Sequence, residues 1–84
     1  MKDVMVDLET LGNTSTAAII QIGACVFDTE GTGERFCATV SFESALQWGD
    51  PTASTLEWWM EQSDAARKSV LAEPRMNLTR AKYV

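Results

Sequence analysis

Histidine is absent from this chain. That removes the commonest general base, the usual nitrogen ligand of zinc and every Ser-His or Cys-His catalytic arrangement. Cysteine is scarce: the 2 present, Cys25 and Cys37, are too few for a zinc site and read as free thiols of a cytoplasmic protein. Cations are outnumbered, with 7 Lys and Arg against 12 Asp and Glu for a net charge of −5. No cationic stripe is therefore available to coat nucleic acid by counterion release. An enzyme that meets nucleic acid through bound metal ions escapes that exclusion, because the ions offset local carboxylates. No apolar run approaches the roughly 18 residues of a bilayer span, and no basic-then-apolar leader opens the chain. A cytoplasmic location without a membrane partner is expected. The 84 residues suffice for one small domain, which buries only about 60–65% of its unfolded surface.

What is present reads as strands first and helices afterwards. Val4-Met5-Val6 opens an apolar strand ending in Asp7-Leu8-Glu9, and Thr10 to Thr16 is turn-rich, with a tight bend at Gly12-Asn13. Ile19 to Phe27 is apolar on nearly both sides, as in a strand inside a sheet. Asp28 to Gly33 reads as a loop, and Phe36 to Phe42 alternates as a third strand. Folding about Gly31 sets Cys25 opposite Cys37. Ile20, Ile22, Ala24 and Val26 then share one apolar face with Phe36, Ala38, Val40 and Phe42. A one-residue slip would invert every side chain.

Helical signals begin after Asp50-Pro51. Ser54-Thr55-Leu56-Glu57 fits a capping box, and Leu56, Trp59 and Met60 fall on one stripe. Ser63-Asp64 predicts a fresh N-cap for a short helix to about Leu71, with Ala66, Val70 and Leu71 inward and Pro74 beyond its end. The spacing places Trp59 in the core and leaves Trp58 half exposed. The final ten residues show neither helical nor strand period.

The chemistry concentrates at Asp7 and Glu9. Residues i and i+2 of a strand point to one face, about 6.5–7 Å apart. Two carboxylates so held repel each other, and a hard divalent cation, Mg²⁺ or Mn²⁺, is their natural partner. Paired ions about 3.5–4 Å apart are a known device for phosphodiester cleavage. A lone D-x-E also fits a solvated strand end. Its position, on an N-terminal apolar strand followed by a polar loop and a buried hairpin, favours the metal reading.

Val6-Asp7-Leu8-Glu9-Thr10 followed by Ala18-Ile19-Ile20-Gln21-Ile22-Gly23-Ala24 resembles the first motif region of the DEDD 3′–5′ exonucleases. Thr55-Leu56-Glu57-Trp58-Trp59, with Gln62-Ser63 and Ala65-Ala66-Arg67, is similar to a branch of bacterial and phage exoribonuclease-like proteins. The resemblance runs from about Val4 to Ala72. It implies an α/β, ribonuclease-H-like fold, truncated here to a three-stranded antiparallel-type sheet followed by one or two helices. Residues 1–72 are then the N-terminal part of an exonuclease domain and 73–84 an irregular tail.

By the same resemblance Asp7 would bridge two metals, Mg²⁺ or Mn²⁺, and Glu9 would hold the one that activates water. Thr10 and Leu11 would line the pocket for the terminal nucleotide of a single-stranded RNA or DNA 3′ end. One of the two tryptophans would touch substrate or a partner subunit. Gln21 is either a pocket residue or a buried strand glutamine with a backbone partner.

The family pattern has two further acids and a His or Tyr that handles the attacking water. This chain has no histidine, and its tyrosine, Tyr83, is followed by Val84 alone. Asp50, Asp64 and Glu73 read as helix-entry or surface residues. The expectation is an incomplete exonuclease, inactive in this form, whose first strand is an open edge. Its product is expected to be marginal, aggregation-prone or a homo-oligomer, or to need a missing C-terminal half. The alternative is a small non-enzymatic interaction protein or prophage remnant that retains the scaffold.

Overall fold

Three runs of alternating side chains zip into antiparallel strands, and three short helices follow. The computed structural model describes residues 3–78. β1 (Asp3–Thr10), β2 (Ile19–Asp28) and β3 (Gly31–Val40) are followed by α1 (Phe42–Trp48), α2 (Ala53–Met60), α3 (Asp64–Val70) and β4 (Arg75–Met76). The sheet order is β1-β2-β3-β4, with β4 parallel to β3 and the other pairs antiparallel. The architecture is thus α/β with a four-stranded mixed sheet and three helices, one strand and at least one helix more than the sequence pattern predicts.

The predicted parity holds and the predicted register does not. Ile22 pairs with Ala38 and Ala24 with Phe36, which keeps the apolar face intact. Cys25, however, faces Arg35, and Cys37 faces Gly23; both cysteines are free. The hairpin turns more tightly than a six-residue polar loop suggests, because Asp28 Oδ1 accepts the Glu30 amide at 2.8 Å and Asp28 already pairs with Gly31. Gly31 sits at φ 128°, a conformation that favours glycine. A register shift between Cys25 and Phe27 then resets the pairing.

The alternation that carries β3 through Phe42 is also misleading. Ser41 Oγ accepts the Ser44 amide at 3.3 Å, so Phe42 opens α1 instead of closing the strand. α1 ends at Gly49, where a Cβ would lie 2.6 Å from Ala18 Cα; only glycine admits this approach. The segment beyond Ala72 is not wholly irregular: Val40 pairs with Met76, and Leu78 is buried with its amide on Ser44 Oγ at 2.8 Å. Residues 79–84, Tyr83 among them, lie outside the described residues.

The core gathers Leu11, Ala18, Ile20, Ala38, Val40, Ala45, Val70 and Leu78, with Trp59, Phe36 and Phe42 packed against it. It occupies one end of the sheet. At the other end β1 is an edge strand with Val4, Val6 and Leu8 on the apolar face at 62%, 60% and 46% exposure.

Candidate functional site

Asp7 and Glu9 lie on the face of β1 opposite Val6 and Leu8, because β1 runs straight from Asp3 to Glu9 with its register shift only at Thr10. Across β2 and β3 this face continues in rows: Glu9–Gln21–Thr39, then Asp7–Gly23–Cys37, then Met5–Cys25–Arg35. The acid pair thus has a floor of small and polar side chains, and Asp7 is exposed while Glu9 is half-buried.

The Glu9 end is walled by helices. Gln21 Nε2 donates to the Ser69 carbonyl at 3.1 Å and to Thr39 Oγ1 at 3.3 Å, which places α3 over that row. Gln21 is therefore a strand glutamine with a backbone partner. Trp59 Nε1–H donates to the Thr10 carbonyl at 2.7 Å and fixes α2 against the end of β1. Glu9, Gln21, Trp58, Ala66 and Ser69 line a hollow of about 220 Å³. Trp58 stands edge-on to Trp59, centroids 5.0 Å apart, and remains 50% exposed.

Local hydrogen bonds hold the strand end behind the acids. Thr10 Oγ1 donates to the Gly12 carbonyl at 2.6 Å, the Leu11 amide to Ala18 at 2.9 Å, and the Thr52 amide to Leu11 at 2.9 Å. Thr52 is the N-cap of α2, and its hydroxyl accepts the Asn13 amide at 3.1 Å instead of capping its own helix. Ser54 and Glu57 consequently form no capping box, since both already lie inside the helix. Ser63 does cap α3, accepting the Ala66 amide at 3.2 Å. Val70 faces inward as predicted, whereas Leu71 is 46% exposed because the helix ends there.

Of the predicted site residues, Asp7, Glu9 and Thr10 share one strand end. Leu11 is 4% exposed and joins a separate apolar groove with Leu56, Trp59, Met60 and Val70. The donor set fits a hard divalent cation in kind, two oxygen-bearing carboxylates on one face. Among the described residues no group of three or more His, Cys, Asp or Glu stands together, so the pair supplies part of a coordination sphere. Arg35 shares this face by strand parity, and the observed register sets it opposite Cys25, one row from Asp7.

A family model described as the 3′–5′ exoribonuclease Rv2179c-like domain matches residues 2–83. An exodeoxyribonuclease of Enterobacteria phage T4 is 37% identical over 79 residues, an overlap covering 83% of this chain and 35% of the phage protein. The chain therefore spans little more than a third of that relative's length. No solved structure matches it.

Proposed function

This chain belongs to the Rv2179c-like 3′–5′ exoribonuclease domain family, and from that premise we propose that it binds the 3′ end of a single-stranded nucleic acid for metal-dependent phosphodiester hydrolysis. The observation that supports the reading is the placement of Asp7 and Glu9 on one strand face, beside a hollow walled by an exposed indole. Family membership also supports a ribonuclease-H-like reading of the sheet. Asp7 and Glu9 would hold Mg²⁺ or Mn²⁺. Held by these two side chains, an ion of that kind would supply activation of water and charge neutralisation at the phosphate. Hydrolysis requires oxygen ligands beyond these two carboxylates.

The remaining residues act by positioning. Thr10 Oγ1 spends its proton on the Gly12 carbonyl, so toward a substrate it can only accept, which suits a sugar hydroxyl. Trp58 offers an exposed ring beside Glu9, and base–aromatic stacking contributes about 1–3 kcal/mol without sequence preference. The family description names RNA and the phage relative's name DNA, and nothing in Thr10 or Leu11 distinguishes a 2′-hydroxyl.

The test compares Mn²⁺-dependent binding of a labelled single strand carrying a free 3′ hydroxyl with one blocked by a 3′ phosphate. The free end binds more tightly, and Asp7→Asn abolishes the difference. Equal binding of both ends would refute the proposal. A second reading, a non-enzymatic interaction module, draws on the open apolar strip of Val4, Val6 and Leu8. Partner binding unaffected by Asp7→Asn but lost on changing Val6 would favour it.

A further inference from the structure

We propose that the uncovered end of the acid face is the track for the nucleic-acid strand upstream of its terminal nucleotide, and that Arg35 holds a backbone phosphate there. The inference rests on the functional reading above and extends it to a residue and a surface that reading does not use. The acid pair lies between two depressions on one face. Glu9 borders the helix-walled hollow that contains Trp58, closed on one side by α2 and α3. Asp7 borders a second, larger hollow of about 470 Å³, whose lining includes Met5, Gly23, Cys25, Arg35 and Cys37. A polymer whose last nucleotide sits against Trp58 must leave across Asp7, and this second hollow is where it emerges.

The floor of that exit is bare. Gly23 stands between Asp7 and Cys37, and a Cβ there would come no closer than 3.8 Å to the nearest atoms, the backbone oxygens of Asp7 and Phe36. The glycine is thus not demanded by packing, and its effect is to leave room above the sheet. One row further, Arg35 faces Cys25. By strand geometry it lies two strands across and one pair along from Asp7, roughly 12 Å at the backbone. A long guanidinium side chain can span part of that distance and take a phosphate in bidentate fashion.

Charge singles out the same residue. The protein is net −5, so a polyanion needs local cations as well as metal. On the acid face, Arg75 follows Thr39 in the first row but is tied to Glu73 at 3.2 Å. Arg67 of α3 is engaged by Asp64 and by the Met60 carbonyl. Of the two strand cations on that face among the described residues, Arg35 is the one without a carboxylate partner.

The test measures equilibrium binding of a single-stranded hexanucleotide and of a nucleoside 5′-monophosphate to the intact chain in Mn²⁺, across a range of salt. Arg35→Ala is expected to weaken the hexamer three- to tenfold, to lower the slope of log affinity against log salt by about 0.7, and to leave the mononucleotide unchanged. Arg35→Lys restores the salt slope. Gly23→Val weakens the hexamer with the slope intact, because it obstructs the track without removing charge. A hexamer unaffected by Arg35→Ala, or a mononucleotide weakened equally, overturns the track. Failure of the wild type to bind the mononucleotide in a metal-dependent, Asp7-dependent way instead overturns the reading of the acid pair.

Discussion

The indole N–H of Trp59 donates to the carbonyl of Thr10 across 49 residues of sequence, at 2.7 Å. This bond ties α2 to the end of the strand that carries Asp7 and Glu9, and it aligns Trp58 with the hollow beside Glu9. Trp59→Phe removes the donor together with part of the ring, and is expected to cost at least about 1 kcal/mol, which lowers the melting temperature by at least about 4–8 °C in a domain of this size. Trp59→Ala also loses packing against the core and should cost about 3 kcal/mol. Trp58→Ala, at an exposed position, should change stability by less than about 0.5 kcal/mol while weakening nucleotide binding. Thermal and urea unfolding of the three variants checks the order.

Two glycines separate steric from conformational constraint. Gly49→Ala puts a methyl group 2.6 Å from Ala18 Cα, backbone against backbone, so α1 must shift; the expected loss is about 3 kcal/mol. Gly31→Ala meets open space and carries only the strain of φ 128°, about 1 kcal/mol. Urea midpoints in which Gly31→Ala is the worse of the two would contradict this account.

Much of the scaffold is legible in the sequence, and the failures have physical causes. The parity of Ile20, Ile22 and Ala24 against Phe36, Ala38 and Val40 is legible because one face must be apolar throughout. The register is not, because a tight turn stabilised by Asp28 and an irregularity near Val26 move it by two residues without changing which face is buried. Parity alone puts Arg35 on the acid face, and the shift brings it one row nearer Asp7, opposite Cys25 instead of Phe27. α1 is hidden because Phe42 continues the alternation of β3, and only the Ser41 cap breaks it. The pair Asp7 and Glu9 is visible from spacing alone, whereas the hollow beside it is built by residues of α2 and α3 that lie 49 to 61 positions beyond Glu9.

The exposed strip on β1 has a solution consequence. Val4, Val6 and Leu8 lie on an edge strand, and such a strand is a template for association. The protein is expected to self-associate as concentration rises, and Val6→Lys to suppress this with a stability change below about 0.5 kcal/mol. Sedimentation velocity distinguishes the outcomes; a wild type that stays monomeric at every concentration would contradict it.

The central claim is that Asp7 and Glu9 act together as ligands for a hard divalent cation. Its most direct test is Mn²⁺ titration of the wild type, Asp7→Asn and Glu9→Gln by calorimetry, with unfolding curves taken in parallel. Saturable uptake by the wild type, loss of that uptake in each variant, and unfolding midpoints that scarcely move are the expected results. Uptake of equal strength in all three proteins, or none in the wild type, would contradict it.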